Sequence, residues 1–117
     1  MRSVIAAQAG AHDQFSIEML LQNLVLSACD HGVEIDIDLQ EDHIWIANIE
    51  RHEGNAGSGA RVLRDLMEIS DHHDIPIRGR VVKNPIRLLN YYQSLGFRET
   101  DRKFNGAELN IEIEYEP

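Results

Sequence analysis

The residues best suited to chemistry are three glycines in the stretch Gly54-Asn55-Ala56-Gly57-Ser58-Gly59. An apolar run, Ile44-Trp45-Ile46-Ala47-Asn48-Ile49, precedes them, and helical periodicity begins near Ala60. A strand, a glycine-rich turn and a helix N-terminus in that order form a cradle for phosphate. Glycines let the backbone approach an anion, and free N–H groups at the positive end of the helix dipole stabilise it. Downstream, Asn84-Pro85 reads as a helix N-cap followed by proline at the first helical position.

Other reactive side chains form no comparable pattern. Asp71-His72-His73-Asp74 has metal-ligand residue types. Adjacent helical residues point about 100° apart, however, which suits a solvated helix end better than one ion. No metal site is assigned. His12, His31 and His43 stand at expected element boundaries. The single cysteine, Cys29, excludes an intrachain disulfide and fits a reducing, cytoplasmic setting. On its expected helix it reads as a small buried apolar side chain.

These residues sit in a chain of 117, sized for one domain over 1–117 with a real core. Apolar residues make up 43% and charged residues 26%, an ordinary globular balance. No apolar run approaches the roughly 20 residues that span a bilayer, so no membrane partner is expected. The apolar stretch at the N-terminus is too short for a secretory signal. The net charge of −9 is uneven: residues 1–50 carry −8, residues 51–103 carry +3 and residues 104–117 carry −4. The glycine loop lies in the only basic part. That suits an anionic ligand in the middle and a cationic partner at the acidic ends; solubility alone also explains the acidic excess. A nucleic-acid partner is disfavoured, because the overall basic footprint is missing.

The elements that must position the loop follow from periodicity. A helix is expected over about Asp13–His31, with Phe15, Met19, Leu20, Leu24 and Ala28 inward and Gly32 as its stop. Strict alternation in Glu34–Leu39 predicts a strand with one wet face. His43–Ile49 carries apolar residues on both faces, which predicts a central strand covered on both sides. A helix follows the loop as far as Asp71–Asp74. Next come a strand over Ile75–Val82 and a helix from Pro85 to Gly96. Strands over Phe97–Lys103 and Ala107–Tyr115 are joined around Asn105-Gly106. The regular alternation of Leu109–Tyr115 makes it a candidate edge for a homodimer. The order describes a mixed α/β sheet with helices on its faces.

Order and residues together resemble the GNAT superfamily of N-acetyltransferases. Gly57 and Gly59 match that family's loop signature, in which Arg or Gln is followed by two variable residues, Gly, a variable residue, and Gly or Ala. Gly54 stands where the signature has Arg or Gln. Asn84 and Tyr91-Tyr92-Gln93-Ser94-Leu95-Gly96-Phe97 resemble the family's Asn and its Tyr-x-x-Leu-Gly-Phe helix end. The likeness covers about residues 33–117. Family members usually begin with a strand and two helices, where this chain has one expected helix.

The resemblance implies a mostly antiparallel mixed sheet with helices on both faces, and acetyl-CoA as co-substrate. It implies backbone N–H groups of Asn55, Ala56, Gly57, Ser58, Gly59 and Ala60 on the pyrophosphate, and Ile49 beside the pantetheine arm. Asn84 is a cofactor contact or only a helix cap. The resemblance makes Tyr92 the acid for the departing thiolate; the other reading of Tyr92 is a core aromatic with a satisfied hydroxyl. Glu50, or else His52, is the base for an amine acceptor, with water-mediated deprotonation as the other route. The reaction implied is direct amine attack on the thioester, with a cationic protein or small molecule as acceptor. The other reading is a catalytically reduced module that works by binding a protein.

Overall fold

The computed structural model describes residues 4–51 and 58–117, with side chains described for residues 14–49 and 58–117. The elements are α1 (Val4–Asp30), β1 (Val33–Leu39), β2 (Ile44–Arg51), α2 (Ser58–His73), β3 (Ile77–Val81), α3 (Pro85–Leu95), β4 (Arg98–Asn105) and β5 (Glu108–Tyr115). They form one five-stranded sheet in the order β1-β2-β3-β5-β4. Only β2 and β3 run parallel; the other three pairings are antiparallel. The mixed, mostly antiparallel architecture expected from the sequence is therefore present.

The register shows how the core is built. Paired residues share a face, so Val33, Ile35, Ile44, Ile46, Ile77, Val81, Ile111 and Ile113 all point to one side. All eight are buried. The helices pack there: α1 on β1, α2 on β1 and β2, and α3 on β3, β4 and β5. Leu63 and Leu66 of α2 and Leu89 and Tyr92 of α3 complete this core. The second helical layer implied by the resemblance is not present among the described residues. The opposite face carries Glu34, Asp36, Asp38, Trp45, Arg78, Arg80, Glu112 and Glu114. Burying such charges under a helix would need a partner for each.

This single-sided packing corrects two further expectations. β2 is not covered on both sides, since Trp45 is half-buried and Ala47 exposed. In α1 the buried stripe is Ile17, Leu21, Leu24 and Ala28. The expected inward residues Phe15, Met19 and Leu20 are 63%, 46% and 39% exposed. This helix starts at Val4 and is apolar around much of its circumference. Its period alone offers more than one face, and docking on β1 selects one. Cys29 lies off that face and is exposed, not buried.

The turns follow the local chemistry. Gly32 (φ 75°) and Gly96 (φ 116°) end α1 and α3 in the left-handed region. Asn105 pairs with Glu108, so the hairpin turn is Gly106-Ala107, one residue later than expected. β5 lies between β3 and β4, so the Leu109–Tyr115 segment offers no free edge to a second copy. On the helix-free face Arg78 and Arg98 each donate to Glu114 at 2.7 Å.

Candidate functional site

The site begins where two strands part. β2 and β3 pair only from Ile44/Ile77 to Ile46/Gly79. Both strands continue, β2 to Arg51 and β3 to Val81, without further pairing. The cause is visible on the other side of β2. Asp36 pairs with Asn48 and Ile37 with Ile46, so Ala47 is an extra residue, a β-bulge. A bulge bends and twists its strand, and this one turns β2 away from β3.

A cavity of about 310 Å³ fills the resulting cleft. Ile46, Ala47, Asn48 and Ile49 form one wall, and Gly79 to Lys83 the other. Leu88 and Tyr92 of α3 close it on the helical side. The backbone groups of β2 that face the cleft have no β3 partner there, so they are available to an extended polar ligand.

A second cavity of about 420 Å³ lies between the N-termini of α2 and α3. Gly59, Ala60 and Leu63 line it from α2; Asn84, Arg87, Leu88, Tyr91 and Tyr92 line it from the α3 segment. Ile49, Leu88 and Tyr92 line both cavities. Neither helix has an acidic residue in its first turn to offset the positive end of its dipole.

The structure thus brings together Ile49, Gly59, Ala60, Asn84 and Tyr92 from the sequence-derived set. Ser58 opens α2 beside them. Asn55, Ala56, Gly57 and His52 lie outside the described residues, as does the side chain of Glu50. Tyr92 is 5% exposed. Burial, with a smaller contribution from neighbouring Tyr91, pushes its phenol up to about 12. It therefore holds its proton throughout the neutral range.

Asn84 differs from the expected N-cap. It adopts the left-handed conformation (φ 47°, ψ 51°) and its side chain makes no capping hydrogen bond. Asn tolerates this region better than most residues. The geometry leaves its side chain on the cavity wall.

Arg80, Lys83, Arg87 and Tyr91 escaped the sequence reading. Arg87 and Tyr91 follow Asn84 at three and seven residues, a helical spacing that marks one face of α3. Tyr91 lines the larger cavity, its hydroxyl 3.9 Å from a Cβ built on Gly59. Arg80 and Lys83 had no local signal, because only the opening of the sheet exposes a cleft beside them.

No family model matches the sequence, and no curated protein matches it. Solved structures do match the fold. The ribosomal-protein-S18-alanine N-acetyltransferase from Escherichia coli superposes with a TM-score of 0.65 at 19% identity, over 73% of this chain and 61% of that one. A GNAT family acetyltransferase from Elizabethkingia anophelis, with acetyl-CoA bound, gives 0.58 at 22% identity, over 71% and 67%. Arabidopsis thaliana Naa50, bound to a bisubstrate analogue containing CoA, gives 0.55 at 15% identity, over 70% and 62%. The chain spans about three fifths of the length of the first of these. It has the GNAT acetyltransferase fold.

Proposed function

We propose that this protein is an acetyl-CoA-dependent N-acetyltransferase acting on a primary amine. The observation that carries the reading is the continuity of the β2/β3 cleft with the cavity between the N-termini of α2 and α3. Ile49, Leu88 and Tyr92 are common to both. One extended molecule with an anionic end and a thioester end fits that path. The GNAT fold and the acetyl-CoA or CoA bound in similar structures support it.

In this reading the N–H groups of Ser58, Gly59 and Ala60, with Asn55, Ala56 and Gly57, hold the pyrophosphate. Asn84 and Arg87 line the same cavity and contact the nucleotide end. Ile49 and its neighbours in β2 lie along the pantetheine arm. The neutral amine attacks the thioester carbon, the C–N bond forms and the C–S bond breaks. Glu50, near the end of β2, or else His52, takes the amine proton, directly or through water. Tyr92 gives its proton to the departing thiolate, for which its protonated state is suited.

A second reading, a reduced module that works by protein binding, draws on Gly54 at the position where the loop signature has Arg or Gln. Titration with acetyl-CoA separates the two. Saturation at about 100 times the dissociation constant should stabilise the fold by roughly 2.7 kcal/mol. No thermal shift and no heat of binding at millimolar acetyl-CoA would sink the enzyme.

A further inference from the structure

The charges around the cleft carry information about the acceptor, and this inference rests on the acetyltransferase reading. Leu88 and Tyr92 close the cleft on the helical side. On the helix-free side Ala47, Asn48 and Arg80 are exposed, so an acceptor enters there. Among the residues whose side chains are described, the ionisable groups lining the cleft are Arg80, Lys83 and Tyr92, and none of these is a carboxylate.

The arginines of this face are held differently. Arg78 and Arg98 are each bound to Glu114 at 2.7 Å. Among the described residues Arg80 has only Glu112 as an ion-pair partner, at 3.8 Å, and its side chain is 49% exposed. Its guanidinium lies 6.0 Å from the Trp45 ring centroid, within reach of a cation–π contact. Lys83 is exposed and makes no ion pair with a described residue. Arg80 also lines an adjoining cavity of about 250 Å³, where Asp101 and Lys103 form their own pair at 3.5 Å.

We infer that the acceptor is an amino carboxylate, a primary amine with a carboxylate within a few bonds, as in free α- and β-amino acids. Arg80 and Lys83 receive the carboxylate, and the amine reaches the thioester between β2 and β3. The neutral amine loses one proton as the amide forms, and CoA leaves as the thiol. The net charge of −9 points the other way, towards a cationic acceptor. Charges beyond about 10 Å are largely screened at ordinary ionic strength, so the nearest groups decide what the cleft accepts.

The test compares α- and β-amino acids with their uncharged amides and with simple alkylamines, following CoA release from acetyl-CoA. The expected result is at least a tenfold higher kcat/KM for the carboxylates. Arg80→Gln should abolish that preference through KM, with acetyl-CoA affinity and the thermal midpoint unchanged. Equal rates across the three classes, no turnover of any amine, or an equal loss for all of them in Arg80→Gln would overturn the inference. So would weakened acetyl-CoA binding in that variant, which would make Arg80 a cofactor contact. If the unaltered protein fails to bind acetyl-CoA, the acetyltransferase reading falls and takes this inference with it. Binding of acetyl-CoA without a carboxylate preference removes the inference alone.

Discussion

Ile46 and Gly79 form the last pair of the parallel ladder between β2 and β3, and the cleft opens directly beyond them. A Cβ on Gly79 would lie 3.4 Å from both the Cβ and the carbonyl oxygen of Ile46, and 3.9 Å from Ile113. These are ordinary contact distances, so a methyl group just fits here while a larger branched side chain must displace its neighbours, and the φ of Gly79 is not in the left-handed region. Its neighbours on that face, Ile77 and Val81, are buried aliphatics. The point where the sheet opens is therefore also a tightly packed one.

Gly79→Val should overpack this junction and cost about 1–3 kcal/mol. Urea denaturation would register the loss as a lower midpoint at unchanged slope. Gly79→Ala, at the limit of the available space, should cost much less. A Val variant as stable as the parent would show that the strands can separate freely at this step.

Tyr92→Phe keeps the buried ring and its edge contact with Phe97, whose centroid is 5.4 Å away. Acetyl-CoA affinity should hold while turnover falls about a hundredfold, the scale of a lost general acid. Calorimetry and initial rates on the same preparation separate the two quantities. Parallel loss of both would make Tyr92 a structural residue.

The raised phenol also makes a pH prediction. Its folded value of about 12 lies above the ordinary value of 10.0, so between these the folded state binds more protons than the unfolded one. Stability is fully present below pH 10 and declines as pH rises towards 12. Thermal midpoints over that window should fall more steeply in the parent than in Tyr92→Phe. Tyr115, raised by its hydrogen bond to Asp71, contributes in the same direction in both proteins.

Asn84 can be tested by separating backbone from side chain. Asn84→Gly preserves access to φ 47° and should leave stability nearly unchanged. Asn84→Ala should cost about 1 kcal/mol, because a Cβ without a polar tip resists the left-handed region. Weaker acetyl-CoA binding in both would assign the cofactor contact to the side chain. Unchanged binding in Asn84→Gly would reduce Asn84 to a turn residue.

Glu114 anchors the helix-free face. Burial pushes its carboxyl up, but hydrogen bonds from Arg78 and Arg98 outweigh that and hold it below the usual carboxylate range. The resulting stability is present above the unfolded value of about 4.5 and is lost as pH falls through the lower folded value. Glu114→Gln should cost about 2 kcal/mol at pH 7 and flatten the acid limb of the stability curve. Chemical denaturation from pH 7 to pH 3 tests both parts.

What the sequence determined by itself was local. The order of helices and strands, the stops at Gly32 and Gly96 and the Pro85 helix start all rest on neighbouring residues, whose spacing and conformational preferences act without the rest of the fold. The same holds for Tyr92-Gln93-Ser94-Leu95-Gly96-Phe97, whose turn chemistry and helical period mark the end of α3. The tertiary structure decided what depends on partners distant in the chain. It chose the Ile17–Leu21–Leu24–Ala28 stripe of α1, since an apolar helix has no preferred face until a strand docks on it. It placed all three helices on one side of the sheet and enclosed β5 between β3 and β4. It set the bulge at Ala47, which exists only in the register of β1 against β2 and which opens the cleft beside Gly79. Arg80 became a candidate acceptor contact by the same route: its neighbours Trp45 of β2 and Glu112 of β5 lie more than 30 residues away on either side.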